Sequence, residues 1–584
     1  MNSRIKLVAG IVAIATIVLL APGPSSGANS ASGDWRDAAL WTHMTGGEKI
    51  RHFEVTPLGS VFVSTDARVA ALDPDTGDVI WEREDIRRCG TDDEDGTVRC
   101  NFLGKGKTRF SAIANTNIGL FQVGSRGREN PCDRAAVLNL ETGSTIWDSV
   151  DIPLRNVKDF LYVPELDQFL LAGEADGKRG VLAAVSGSDG GLLWQRDIYF
   201  LDRFKFISVP DDARVLAYGR TNDAQRALVS LSLADGSEQW RLEGFLRNDA
   251  RNRNALVLRD TAETAILYVT KDGPFRVRLD SGDVLWRVGL WDKDPPDLAP
   301  MVLDGELLFV PNGKMIDALH VEDGSRVWQT VKQFNAEPID IRMLSRGLLV
   351  RAKSLDLLDP QTGRSLWAKR VLIPPRSGVK KYARALSAEV PVHVDEEAVY
   401  IAGQERFWRV DLETGDVTNL TVWDLHSEWP TRIEETDGSF VLMSRQNLLR
   451  VNRVGEVAYH LYLKAPGASG WTKALAVAAF VGSAAASGSQ AGGLTFSAFF
   501  DPSGVLGARY GATLEAPENY FMYTEMPFDG RKGFSLVRIN KASGKETGRL
   551  WLDQRSPEYT IDHVTETVYF RSADHELSAL RFVE

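Results

Sequence analysis

The chain has 584 residues, 43% hydrophobic and 25% charged, with a net charge of −11. That length exceeds what one compact core needs, so it implies several domains or a repeat array in a soluble globular protein. The acidic balance and the lack of a Lys/Arg cluster argue against nucleic-acid backbone binding, which draws on a concentrated basic face.

Arg4 and Lys6 precede an apolar run from Leu7 to Ala21, followed by the small, polar stretch "PGPSSGANSASG". That is the order of a secretory signal peptide, with cleavage expected after Ala28 and a short linker over 29–36. The run falls short of the ~20 residues that span a bilayer. Export to the periplasm or the extracellular space is therefore expected, with an uncleaved tether as the alternative. No Cys follows the run, which argues against a lipoprotein anchor.

The next stretches, "KIRHFEVT", "SVFVST", "VAALDP" and "VIWERE", are short apolar or alternating runs separated by Asp/Gly turns, the signature of strands. Their turn, "ALDPDTGDVIW" (71–81), carries three aspartates. Asp73, Asp75, Asp78 and Glu84 echo a calcium loop, but Gly77 and Asp78 reverse the Asp-Gly order such a loop needs. A hairpin turn explains them better, with Asp73 accepting backbone N–H groups and Gly77 in the left-handed conformation.

Three cysteines follow. In an exported protein Cys89 and Cys100 would close the acidic loop "CGTDDEDGTVRC", with Cys132 competing as partner.

The Gly77/Trp81 step recurs at Gly143/Trp147, Gly190/Trp194, Gly236/Trp240, Gly282/Trp286, Gly324/Trp328 and Gly363/Trp367. Worn copies at Gly415, Gly455 and Gly544 carry Asn419, Tyr459 and Gly548 at the Trp position. From Gly143 to Gly455 the interval stays between 39 and 52 residues. Four strands per unit of that length is the pattern of a β-propeller blade. Each Trp is placed to pack on a neighbouring blade, since a ring of that size buries roughly 150–250 Å². Asp73 is replaced by Ser186, Ser232, Arg278 and His320 in the third to sixth copies, so the carboxylate is not what recurs.

The spacing Ala71, Asp73, Thr76, Gly77, Trp81 resembles the tryptophan-docking motif of PQQ-like (quinoprotein-type) propeller repeats, and "NLETGSTIW" and "LDPQTGRSLW" match it nearly as well. The resemblance implies an all-β fold, a β-propeller of four-stranded PQQ-like blades over 37–584, eight or more in number. The last stretch, "YTIDHVTETVYFRSADHELSALRF", supplies about three strands. "AALWTHMT" (38–45), with Trp41, would supply the fourth in a velcro closure.

Two insertions interrupt the units. "VLIPPRSGVKKYARAL" (371–386) is a basic loop. "GWTKALAVAAFVGSAAASGSQAGG" (470–493), within an insertion at about 466–498, is an Ala-rich apolar stretch. It is expected to pack on the ring, or alternatively to touch a membrane or partner through Trp471 and Phe480.

The family also contains PQQ- and calcium-dependent dehydrogenases. Their adjacent Cys–Cys pair is absent here, and no catalytic residue carries over by motif. The scattered histidines form no HxH or HExxH pair, and no Walker loop appears. The reading is therefore a non-catalytic scaffold, without PQQ or calcium, similar to the outer-membrane assembly scaffolds of the BamB type. It is expected to be a monomeric ring that binds other envelope or secretory-pathway proteins, with peripheral membrane contact open. The alternative is a quinoprotein dehydrogenase or another small-ligand-binding propeller.

Overall fold

The structure is a computed structural model. It describes residues 32–85, 107–112, 116–124, 134–148, 154–174, 180–198, 202–211, 213–220, 226–243, 256–268, 273–289, 301–373, 390–426, 428–444, 446–464, 514–526 and 533–582. The fold is all-β, an eleven-bladed propeller of four-stranded antiparallel sheets. Eleven satisfies the expected eight or more.

Blade 1 runs from Ile50 to Arg83, blade 2 from Lys107 to Asp148, blade 3 from Arg155 to Ile198 and blade 4 from Asp202 to Glu243. Blades 5 to 8 cover 256–287, 302–333, 340–372 and 392–422, and blades 9 and 10 cover 432–462 and 514–551. Blade 11 takes its three inner strands from 558–580 and its outermost from Ala39–Met44, which pairs antiparallel to Glu576–Leu580. The expected velcro closure is thus formed by the predicted segment.

Ser32–Asp34, in the stretch read from sequence as a linker, runs parallel to Arg549–Trp551 as a fifth strand on the outer edge of blade 10. The start of the described chain therefore laces two neighbouring blades together.

Burial explains why the strand runs differ in texture. In blade 1 the two middle strands, Val61–Thr65 and Val69–Leu72, are buried throughout, because each is covered on both faces by a neighbouring blade. The outer strand Val79–Arg83 buries only Trp81. Continuous apolar runs thus mark the middle of a blade, and one lone Trp marks its rim.

The core is correspondingly divided. Eleven apolar clusters each bridge two consecutive blades, from Phe62, Trp81 and Phe121 between blades 1 and 2 to Trp41, Val63 and Tyr569 between blades 11 and 1. Burial of apolar area at roughly 25 cal/mol per Å² therefore acts around the circumference. A blade without its neighbours would leave both faces wet.

Candidate functional site

The recurring Gly and Trp are brought together, but across blades rather than within one. The backbone at Gly77 has φ +75°, and a Cβ there would lie 2.5 Å from the ring of Trp41, in blade 11. Gly143 receives Trp81, Gly236 receives Trp194, Gly282 receives Trp240, Gly324 receives Trp286, Gly363 receives Trp328 and Gly415 receives Trp367.

Each indole N–H then donates to the carbonyl three residues before that glycine. The acceptors are Pro74, Leu140, Leu233, Leu279, Val321, Pro360 and Leu412, at 2.7–3.0 Å. A β-bulge just before the Trp, as between the pairs Ala71↔Trp81 and Leu72↔Val79, turns the ring toward the next blade.

The worn copies keep their joints by other means. Tyr459 lies against Gly544, and its hydroxyl donates to Lys541 O at 2.9 Å. Where Asn419 stands, Trp423 instead joins Phe407 and Phe440 between blades 8 and 9. Where Gly548 stands, Phe582 from blade 11 packs against it, 2.9 Å from the Cβ position.

The turn carboxylates are absorbed by the same scaffold. Asp73 Oδ1 accepts from the backbone N–H of Asp75 and Thr76 and from the Thr76 hydroxyl. Those bonds, the Thr76 N–H first, hold its carboxyl below the usual range. Among the described residues no group of three His, Cys, Asp or Glu is placed to hold a metal ion. Nor is any helix among them long and apolar enough to cross a membrane. Cys89, Cys100, Cys132, Trp471, Phe480 and the 1–28 leader lie outside the described residues.

One joint breaks the rule. Trp147 of blade 2 is buried, yet its indole nitrogen has no hydrogen-bond partner among the described residues. The receiving turn of blade 3 holds Gly187 three residues before its Gly190, where the other Trp-receiving turns carry Pro, Leu or Val. The leucines at that place, Leu140, Leu233, Leu279 and Leu412, are fully buried. A buried leucine side chain is therefore missing from this joint, and Gly190 rests on the Ile146 carbonyl instead of on an indole ring.

A cavity of about 450 Å³ opens at this place, lined by Asn117, Asn139, Tyr162, Asp167, Gly187 and Ser188 among others. Asp167 ends the short 3-10 turn Pro164–Leu166 with φ +48°. Its carbonyl accepts from Gly187 N, and its Oδ1 would lie 1.9 Å from a Cβ on Gly187, so the missing side chain is what admits the carboxylate. The Tyr162 hydroxyl donates to Asp167 Oδ1 at 3.0 Å. Burial and that carboxylate push the phenol up to about 12, so it stays a neutral donor. Sequence reasoning missed this site; the signal was Gly187 at a place that the other Trp-receiving turns fill with Pro, Leu or Val.

Residues 225–473 match the family model described as outer membrane protein assembly factor BamB. No curated protein matches the chain. Among solved structures, BamB from Moraxella catarrhalis is 12% identical, with 60% of this chain and 94% of that one covered at a TM-score of 0.32. A computationally designed protein, Ika8, is 11% identical over 73% of this chain and 98% of its own, at a TM-score of 0.27. A eukaryotic initiation factor is 10% identical over 64% and 88%, at 0.32. The fold itself rests on the strand pairing and the eleven shared cores. With its repeat model matched over 225–473, the chain is an eleven-bladed propeller distantly similar to the PQQ-like, BamB-type repeat proteins.

Proposed function

We propose that the protein is an exported, non-catalytic propeller that binds other envelope or secretory-pathway proteins through its outer rim. The observation that carries this reading is the edge of blade 10, where Ser32–Asp34 adds an extended strand in register with Arg549–Trp551. An outer edge that takes one extended segment by main-chain pairing is built like the edges that accept partner strands. Apolar side chains on other outer strands stand in solvent, among them Leu372, Val422 and Val457. Such residues suit a surface that is covered on association.

The test is recovery of a defined partner, in fixed stoichiometry, from the envelope fraction. Val422→Lys with Val457→Lys should release that partner while leaving the unfolding transition unchanged. Retention by the double variant would reject the rim of blades 8 and 9 as the contact. Saturable binding of PQQ with calcium, accompanied by dye-linked alcohol oxidation, would reject the non-catalytic reading.

A further inference from the structure

We propose that the cavity between blades 2 and 3 binds the ammonium group of a lysine side chain presented by a partner segment. This rests on the reading of the ring as a protein-binding scaffold and names the chemistry that one of its sites would recognise. The cavity's volume of about 450 Å³ lies within the range of roughly 300–1,000 Å³ of small-ligand sites.

Its polar lining accepts hydrogen bonds and carries negative charge. Asp167 supplies a half-buried carboxylate, and among the described residues no cation forms an ion pair with it. Among the described residues its side-chain partner is the neutral Tyr162 hydroxyl, on Oδ1. A carboxylate in that setting gains most from a charged donor, because charge-assisted hydrogen bonds are about twice as strong as neutral ones. Asn117 and Ser188 stand at the same wall, the Ser188 hydroxyl paired with that of Ser186, while Asn139 Oδ1 there is engaged by the Glu141 and Thr142 N–H groups.

The rest of the lining suits the stem of a lysine. Ile118 and Ile146 are apolar, and the Tyr162 ring, packed on Phe169, stands beside them. A lone carboxylate among neutral oxygens is poor provision for a divalent metal, which takes six or more oxygen ligands. An ammonium needs only three acceptors.

The site also has an origin in the repeat. At the other Trp-receiving joints a Pro, Leu or Val side chain fills this place, and the docking indole is held by the carbonyl beside it. Here Gly187 removes the side chain, and the Asp167 carboxylate approaches in its stead.

The probe is Nα-acetyl-lysine methylamide, titrated by calorimetry into the full chain alongside its norleucine analogue, which keeps the stem and lacks the charge. The lysine derivative should bind saturably, and norleucine at least tenfold more weakly. Asp167→Asn should lose at least tenfold; asparagine tolerates the positive φ, so the unfolding transition should not move. Gly187→Ala, which drives a methyl into the carboxylate, should weaken binding as well.

n-Butylamine separates the sources. Weaker binding than the peptide-like probe supports a partner's lysine, and equal binding supports a free aliphatic amine in the same ammonium site. Equal binding of norleucine, unchanged binding to Asp167→Asn, or no saturable binding up to millimolar concentration would overturn the proposal. Loss of the rim reading would leave these titrations unaffected, so the two failures are distinguishable.

Discussion

Trp41 and Gly77 hold the ring closed. The indole of Trp41, on the outermost strand of blade 11, lies flat against the bare Cα of Gly77 in blade 1, and its N–H donates 2.9 Å to the Pro74 carbonyl. The same latch recurs around the circumference, so each turn glycine serves the blade before it and each Trp the blade after it.

Gly77→Ala should therefore be costly for two reasons that add. The residue sits at φ +75°, and the new methyl would lie 2.5 Å from the Trp41 ring. Strain at positive φ plus overpacking gives a destabilisation of roughly 2–4 kcal/mol, measured as a shift in the denaturant midpoint. Gly59→Ala has the positive φ but nothing within 4 Å, and should cost less than half as much.

Trp147→Phe and Trp240→Phe remove the same atoms from equivalent places, yet their costs should differ. Trp240 gives up a hydrogen bond to Leu279 O, while Trp147 makes none with the described residues. Such a bond contributes about 0.5–1.5 kcal/mol, and Trp240→Phe should be the more destabilising by that amount in urea unfolding. Equal costs would mean that the two joints are alike.

Truncation before residue 36 removes the edge strand of blade 10 together with Trp35, whose ring meets Phe570, whereas truncation before residue 45 also removes the outer strand of blade 11 with Trp41. The first should leave one cooperative transition with blade 10 amides exchanging faster. The second should expose the blade 11–1 core and lower the melting temperature further, as seen by hydrogen exchange across Val61–Thr65 and Val568–Ala573.

The turn carboxylates carry a pH signature. The Ser237 hydroxyl and N–H hold Asp235 down to about 2, and backbone N–H groups lower Asp73 and Asp411. A carboxyl depressed on folding supports the native state fully above its unfolded value, about 3.9. That support is lost as pH falls through the lowered folded value, so the turns should loosen between about pH 4 and 2. Carboxyl carbon NMR titration checks this, and Ser237→Ala should raise the Asp235 value. A value for Asp235 at the ordinary carboxylate position would refute the bond.

The class of fold, the repeat and the two-ended closure were legible in the chain, because each is a local chemical requirement written many times over. A left-handed turn wants Gly, a rim latch wants one Trp, and a strand covered on both faces wants an unbroken apolar run. Seven Gly–Trp copies state this without any tertiary knowledge. The number of blades was not legible, since Asn419 and Gly548 leave their joints to Trp423 and Phe582, aromatics that no spacing rule connects with the motif. Tertiary structure also decided which Trp meets which Gly, because the bulge turns the ring away from its own blade. It decided as well that the Gly187 substitution leaves a cavity with a carboxylate in it. A missing side chain has no chemistry in one dimension; only its neighbours in space, Asp167 and Tyr162, give the gap a shape and a charge.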